Sequence, residues 1–187
     1  AIAIDLGATN LRVALVSPNG KILKKVKEET AKTGKDGSIV SSQIIRLIQE
    51  VTKDTSLKKI AGIGIASIGP LDYEKGGVLN APNSPFEFIP LVQPLKQAFL
   101  LPIFLYTDTK AAVLAEKHFG AGKNTNNLVY ITISTGIGGG AIVDGRLLLG
   151  KGGNAAEIGH VVVDTRYSFP CGCENGTGHW EGCASGR

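Results

Sequence analysis

Three cysteines and a histidine lie close together near the end of the sequence. The segment CGCENGTGHWEGC, residues 171–183, holds every cysteine of the 187-residue chain. Three thiols cannot all pair within one chain, and disulfides are rare in the cytoplasm. The cluster therefore favours a metal site or free thiols over a disulfide, and loose thiols in a disordered tail are the alternative.

Two glycine-containing segments have the residue types that bind phosphate. DLGAT (5–9) carries a carboxylate, and STGIGGG (134–140) is the denser loop. Glycine lets the main chain approach an anion closely, and successive N–H groups form a concave site for it. A carboxylate beside phosphates requires a bridging cation such as Mg²⁺. The alternative is that these glycines only form tight hairpins.

Two other phosphate motifs fail on inspection. GAGKN (120–124) imitates a P-loop, but Lys117 stands at the required first glycine and Asn124 at the Ser/Thr position. GIGIAS (62–67) starts like a dinucleotide fingerprint but has Ser67 at the third glycine.

The elements that must position these residues follow from hydrophobic periodicity. Strands are predicted at 1–7, 11–17, 21–29, 60–67, 101–108, 127–135 and twice within 139–150, and helices at 38–54, 90–99 and 109–120. The pattern of strand, Gly/Thr turn, strand, tight turn and strand occurs twice, which predicts an internal duplication. Two such units facing each other would form a cleft lined by two backbone loops. The fold class is therefore α/β.

Composition excludes some classes of function. The chain is 43% hydrophobic with a net charge of +4, and its lysines are scattered rather than clustered with aromatic residues. We therefore expect no nucleic-acid partner. No apolar run reaches the roughly 18 residues that span a membrane, and no signal peptide opens the sequence. We expect a cytoplasmic protein.

Seven segments, taken in order, resemble one known family. They are DLGAT (5–9), GIGIASIGPLD (62–72), APN (81–83), TDTKAAVLAE (107–116), TISTGIGGG (132–140), NAAEIGH (154–160) and CGC…GHWE…SG (171–186). The ordered set resembles the ROK family of sugar kinases (repressor, open reading frame, kinase). The resemblance implies the actin-like ATPase fold, with residues 1–107 as the small lobe and 108–187 as the first part of the large catalytic lobe.

The resemblance also implies an activity, the transfer of the ATP γ-phosphoryl group to a hexose hydroxyl. Asp108 matches the general base; a helix N-cap is its alternative role. The residues implied to bind ATP phosphates and Mg²⁺ are Asp5, Gly7, Thr9, Asn10, Ser134, Thr135, Gly136, Gly138 and Gly139. Those implied to bind the sugar are Asn83, Thr107, Asp108, Glu157, His160 and Glu181. Asn83 as a turn residue and Glu157 as a surface helix residue are the alternatives.

A structural zinc site is implied by the same resemblance. His160, Cys171 and Cys173 match zinc ligands, and His179 stands where the family usually has a third cysteine. Zinc accepts thiolate or imidazole, so a Cys₂His₂ set is chemically sound. Cys183 is the alternative fourth ligand.

Three departures from the family pattern bear on the site. Thr107 replaces a sugar-contacting Asn, Ala8 replaces a glycine, and Lys110 replaces a small or polar residue near the base. The charge of Lys110 would lower the pKa of Asp108 if the two side chains were close. The sequence also stops well before family members do, so we expect a C-terminal part of the large lobe to be missing.

The function predicted first is a hexose kinase that converts glucose to glucose 6-phosphate, with fructose, mannose or an N-acetylated amino sugar as alternative substrates. A sugar-responsive transcriptional regulator is the second class; such family members carry an N-terminal helix-turn-helix, whereas this sequence begins at the first phosphate strand. A non-catalytic sugar or nucleotide binder is the third. A homodimer is an expectation from the family.

Overall fold

A β-meander at the start of the chain begins the first of two structural units. The computed structural model describes residues 1–81, 84–166, 169–173 and 176–186. The chain divides into the units Ala1–Asp108 and Thr109–Arg187. Within the described residues, no helix is both long and apolar enough to cross a membrane.

The first unit is built on a five-stranded sheet. Its elements are β1 (Ile2–Leu6), β2 (Asn10–Val16), β3 (Ile22–Glu29), α1 (Ser38–Thr52), β4 (Ile63–Ser67), β5 (Leu71–Asp72), β6 (Gly77–Leu79), β7 (Phe88–Pro90), α2 (Val92–Phe99) and β8 (Ile103–Thr107). The strand order is β3-β2-β1-β4-β8. The meander β1–β3 is antiparallel, whereas β4 and β8 run parallel to β1. Parallel neighbours need long connections, and α1 and α2 lie in those connections. Strands β5–β7 form a small antiparallel sheet.

The core of this unit is formed by alternate side chains of the strands and by side chains three and four residues apart on α1. On β1, the alternate residues Ile2, Ile4 and Leu6 are buried. On α1, residues three and four apart such as Ile44 and Leu47 are fully buried. Burying a side chain of this size contributes about 1.5–3 kcal/mol, so the core holds the sheet and α1 together.

The register of the parallel strands brings three strand ends to one edge. Leu6 pairs with Ser67, and Ser67 pairs with Thr107. The carboxyl ends of β1, β4 and β8 therefore lie side by side. This is the edge at which open α/β sheets bind ligands.

A polar contact joins α1 to β3. Glu28 accepts hydrogen bonds from the Arg46 guanidinium at 2.5 Å and from the Gln43 amide at 2.9 Å. These two partners, Arg46 first, lower the pKa of the Glu28 carboxyl below its ordinary value.

The second unit contains a three-stranded antiparallel sheet. Its elements are α3 (Asp108–His118, which begins on the last residue of the first unit), β9 (Leu128–Ile133), β10 (Ile137–Val143), β11 (Arg146–Leu147) and α4 (Trp180–Ala184). The strand order is β11-β10-β9.

One sequence-based expectation about this unit is wrong, and so is the alternative of Glu157 as a helix residue. The segment 134–140 is not one long loop, because β10 begins at Ile137 and only 134–136 form the turn. Glu157 and His160 do not lie on an α-helix. Glu157 precedes a single 3₁₀ turn, Ile158–His160.

Candidate active site and metal centre

The loop between β1 and β2 is fixed from two sides. The Gly7 N–H donates to the Asn10 carbonyl at 2.9 Å, which closes the hairpin. From the end of β3, the Thr30 hydroxyl donates to the Gly7 carbonyl at 2.7 Å and the Thr30 N–H to the Thr9 carbonyl at 2.9 Å. Ala8 does not have a positive φ, so its replacement of a glycine introduces no strain.

Asp5 has a charged partner that the sequence analysis missed. Its carboxylate lies 2.5 Å from the Arg12 guanidinium, and both side chains are about half exposed, at 49% and 44%. The two residues face each other across the β1–β2 pair. Pairs directly opposite in a hairpin are neighbours, so counting outward from the turn could have found Arg12.

Asp108 lies at the same edge of the sheet as the loop between β1 and β2. It directly follows Thr107, the last residue of β8, and is the first residue of α3. Its side chain is exposed, and two strand spacings, about 10 Å, separate the ends of β1 and β8. The predicted place of Asp108 between a strand and a helix is therefore the observed one. Asn83, another sugar ligand predicted in this unit, lies outside the described residues.

The turn between β9 and β10 is tied to the C-terminal segment of the second unit. The Ser134 N–H donates to the Gly136 carbonyl at 2.9 Å within the turn. The Gly186 N–H donates to the Ser134 carbonyl at 2.7 Å, and the Ile137 N–H donates to a carboxylate oxygen of Glu181 at 2.9 Å. Ser134 and Thr135 remain exposed at the tip of this turn.

The glycines of β10 are required by packing. A Cβ on Gly138 would lie 2.8 Å from the Thr109 methyl group, and one on Gly140 would lie 2.6 Å from the Thr109 carbonyl oxygen. A Cβ on Gly139 would lie 2.8 Å from the carbonyl oxygen of Ala156. The start of α3 and the segment before the 3₁₀ turn therefore pack directly on the main chain of β10.

A buried lysine meets the predicted sugar ligand Glu157. The Lys110 side chain is fully buried at 0% exposure, and its Nζ lies 3.8 Å from Oε1 of Glu157. The Glu157 side chain is half exposed, at 50%. The ion pair thus joins the first turn of α3 to the segment that carries Glu157.

Four side chains could hold a metal ion. One ligand atom from each of His160, Cys171, Cys173 and His179 lies within 4.8 Å of all the others. The His160 Nδ1 lies 3.2 Å from the Cys171 sulfur, and the His179 Nδ1 lies 3.4 Å from the Cys173 sulfur. Two ligands of one tetrahedral zinc, sulfur and nitrogen, lie about 3.6 Å apart, so the donor set and its spacing fit zinc.

His179 rather than Cys183 completes this group. Cys183 lies on α4, where its N–H donates to the His179 carbonyl at 3.1 Å, and its sulfur is not part of the cluster. Gly176 leaves room for the imidazole, because a Cβ there would lie 3.0 Å from the His179 Nε2. Since the His160 Nδ1 faces Cys171, the Nε2 atom of the same ring is left for a second partner.

The Cys171 thiol is buried, and this burial raises its pKa to about 11. A metal ion that binds here must displace the thiol proton. The affinity of the cluster for a metal therefore depends on pH.

Glu181 connects the metal cluster to the turn after β9. Its carboxylate accepts hydrogen bonds from the Ile137 N–H at 2.9 Å and from the Gly172 N–H at 3.1 Å, and lies 3.5 Å from the Cys171 sulfur. Burial acts to raise the pKa of Glu181, but the hydrogen bonds from these two N–H groups, together with Cys171 and the charge of His160, outweigh it, and the net shift is downward. Both carboxylate oxygens have backbone partners, so Glu181 connects the start of β10 to the segment that contains Gly172. The predicted contact of Glu181 with sugar stays a prediction.

Comparison with known proteins identifies the family. A sequence model of the ROK family matches residues 1–187. The chain belongs to the ROK family. It is 40% identical to a glucokinase of Pyrobaculum calidifontis over 99% of this chain and 57% of that protein. A glucokinase of Thermotoga maritima is 42% identical over 92% of this chain and 53% of that protein.

Solved structures agree with this ROK assignment and give the fold. A ROK family glucokinase from Streptomyces griseus, in complex with glucose and AMPPNP, matches with a TM-score of 0.81 and 32% identity, over 100% of this chain and 57% of that one. The chain therefore has the α/β, actin-like ATPase fold of the ROK kinases. It spans about half the length of the relatives it matches.

Other relatives of this ROK chain differ in function. A xylose repressor of Caldicellulosiruptor bescii is 34% identical over 93% of this chain and 44% of that protein. An N-acetylmannosamine kinase of Salmonella arizonae is 34% identical over 100% of this chain and 61% of that protein. The family alone therefore does not decide between kinase and regulator or between sugars.

Proposed function

We propose that this ROK chain carries the base, the phosphate loops and the sugar ligands of an ATP-dependent sugar kinase. The observation that carries the proposal is the likeness to two glucokinases, at 40% and 42% identity over more than nine-tenths of the chain. The placement of Asp108 at the ligand-binding edge of the sheet supports it.

Asp108 is the general base of the proposed reaction. Its carboxylate accepts the proton of the attacking sugar hydroxyl as the hydroxyl oxygen bonds to the γ-phosphorus of ATP. The bond from that phosphorus to the bridging oxygen breaks, and ADP leaves. An exposed carboxylate at the N-terminus of α3 can reach a bound hydroxyl.

The two turns bind the phosphates in this proposal. The N–H groups of Gly7 and Ser134 are used within their own turns, so we assign phosphate binding to the exposed hydroxyls of Thr9 and Thr135 and the N–H groups beside them. We assign Asp5 to Mg²⁺, which its carboxylate would hold directly or through water in place of its contact with Arg12. Bound Mg²⁺ supplies charge neutralisation on the phosphate oxygens.

The sugar is assigned to Glu157, His160 and Glu181, with Thr107 and Asn83 from the first unit. Zinc at the Cys₂His₂ cluster is structural in this proposal. His160, Cys171, Cys173 and His179 would hold the ion, which would cross-link their segments, and the His160 Nε2 is assigned to a sugar hydroxyl. Glucose is the substrate proposed first, because two relatives at 40% and 42% identity are named glucokinases.

The test is ATP-dependent phosphorylation of glucose, fructose, mannose and N-acetylmannosamine, with this chain and with the longest natural form of the protein. Asp108→Asn should lower kcat by about 10²–10⁴-fold, the usual contribution of a general base. Asp54→Asn, an exposed aspartate after α1, is the matched control and should retain full activity. A kcat of the Asp108→Asn variant equal to that of the unsubstituted protein refutes Asp108 as the base.

A ROK-type regulator is the second candidate, favoured by the likeness to the xylose repressor. Sugar-dependent retention of DNA by the longest natural form, without phosphorylation of any sugar, would establish it. Sugar binding with neither phosphorylation nor DNA retention would establish a non-catalytic binder.

A further inference from the structure

Lys110 is a charged side chain in a place where charge is costly. It is the largest fully buried side chain in the part of the chain that the structure describes. Removing an ammonium from water costs several kcal/mol unless an opposite charge compensates for it. Its Nζ lies 3.8 Å from a carboxylate oxygen of Glu157. Burial of the amine and half-exposure of its partner make Lys110 the fixed member of this pair.

The main chain at Glu157 is fixed independently. Ala156 has a φ of +64°, a left-handed conformation that a residue with a Cβ rarely adopts. Its carbonyl oxygen and the Ile158 side chain lie 2.8 and 2.9 Å from the position of a Cβ on Gly139. The backbone on both sides of Glu157 is thus packed on β10, and the remaining freedom is in the Glu157 side chain.

An ion pair can limit this freedom. An exposed glutamate samples several rotamers, and ordering a long side chain costs conformational entropy. An ammonium held at 3.8 Å from Oε1 favours one orientation and leaves Oε2 for another donor.

We propose that Lys110 is a positioning residue that holds the Glu157 carboxylate in the orientation that receives a sugar hydroxyl. The inference rests on the proposed function, since it takes Glu157 as a sugar ligand. Lys110 acts through Glu157 and does not itself bond to the sugar.

The test is a double-mutant cycle in the longest natural form of the protein, with Lys110→Met, Glu157→Gln and the double variant. Methionine keeps the length and the apolar stem, and water can solvate the half-exposed Glu157 carboxylate that loses its partner. We expect Lys110→Met to raise the sugar KM about tenfold, with a smaller change in kcat, in a protein that remains folded. In the Glu157→Gln background, the same change should have no further effect on KM.

Lys117→Met on the same helix is the matched control. Its Nζ donates to the Thr125 carbonyl at 2.6 Å, so this variant removes a structural contact and should leave the sugar KM unchanged. The proposal is overturned if the KM effects of Lys110→Met and Glu157→Gln multiply, or if Lys110→Met changes KM only as much as Lys117→Met does.

A second measurement does not depend on sugar turnover. Side-chain scalar couplings in NMR should report one rotamer for Glu157 in the natural chain and averaged rotamers in Lys110→Met. Averaged couplings in both overturn the positioning role. If the protein neither phosphorylates nor binds any sugar, the proposed function is refuted. The positioning role remains in that case, provided that Glu157 has a single rotamer that is lost in Lys110→Met.

Discussion

Replacing Glu181 should destabilise the second unit strongly, because its carboxylate has two backbone partners. The Ile137 N–H and the Gly172 N–H both donate to it, at 2.9 and 3.1 Å, and the side chain is 9% exposed. Alanine leaves both donors unpaired. A buried donor without a partner costs about 1–3 kcal/mol, so Glu181→Ala should lower the free energy of unfolding by about 2–6 kcal/mol.

Replacing Glu181 by glutamine should remove only one of the two hydrogen bonds. Glutamine retains one acceptor oxygen, and its NH₂ group cannot accept a hydrogen bond, so only one donor is left unpaired. We expect Glu181→Gln to cost about 1–3 kcal/mol, which is half the effect of alanine. The order of the two variants is therefore as informative as their size.

Urea unfolding followed by tryptophan fluorescence is the assay. Trp180 is the one tryptophan in the sequence and precedes Glu181, so its emission reports on the unfolding of the second unit. Amide hydrogen exchange at Ile137 and Gly172 should accelerate in both variants.

The matched control is Glu116→Gln. The Glu116 carboxylate accepts the Ala121 N–H at 3.0 Å near the surface, where water can replace the lost contact. We expect a change within about 0.5 kcal/mol. The reasoning is refuted if Glu181→Ala costs less than about 1 kcal/mol or no more than the control, since a buried carboxylate with two backbone donors cannot be that dispensable.

Three further predictions concern the metal cluster, the glycines of β10 and Glu28. Cys173→Ser should lose the bound zinc that Cys183→Ser retains, as measured by metal analysis after dialysis, because only the first thiol lies in the cluster. Gly140→Ala should lower the free energy of unfolding by about 1–3 kcal/mol through overpacking against the start of α3, whereas Gly64→Ala, whose Cβ would meet no atom within 4 Å, should not. The lowered pKa of Glu28 adds stability above its ordinary value of 4.5, and this stability is lost as the pH falls through the lower folded value. Acid unfolding of Glu28→Gln should therefore depend less on pH below 4.5, and equal dependence would contradict the cause assigned to the shift.

The local part of the fold could be predicted from the sequence. Period-two and period-3.6 patterns placed the ends of β1, β8, α1 and α3 within two residues, because burial selects side chains at those spacings. The place of Asp108 followed from the same logic, since a residue between a parallel strand and a helix lies at the ligand-binding edge.

The contacts that complete the site could not be predicted this way. Glu181 and Ile137 are 44 residues apart, and Lys110 and Glu157 lie on segments separated by a whole hairpin. No local periodicity encodes which distant backbone donor a carboxylate will meet. The departure at Lys110 was visible in the sequence, but its partner Glu157 was found only in the structure.

The glycines of β10 have a packing role that the sequence motif does not reveal. The sequence favours phosphate binding for all of 134–140, on the ground that glycine lets an anion approach the main chain. In the structure, atoms of Thr109 lie 2.8 and 2.6 Å from the positions that a Cβ on Gly138 and on Gly140 would occupy, and the Ala156 carbonyl oxygen lies 2.8 Å from that of a Cβ on Gly139. Close approach is indeed what these glycines permit, but the groups that approach are the first turn of α3 and the segment before Glu157. The two elements that carry Lys110 and Glu157 therefore pack on these three glycines. A methyl group added to any of them should disturb sugar affinity as well as stability, which phosphate binding alone does not predict.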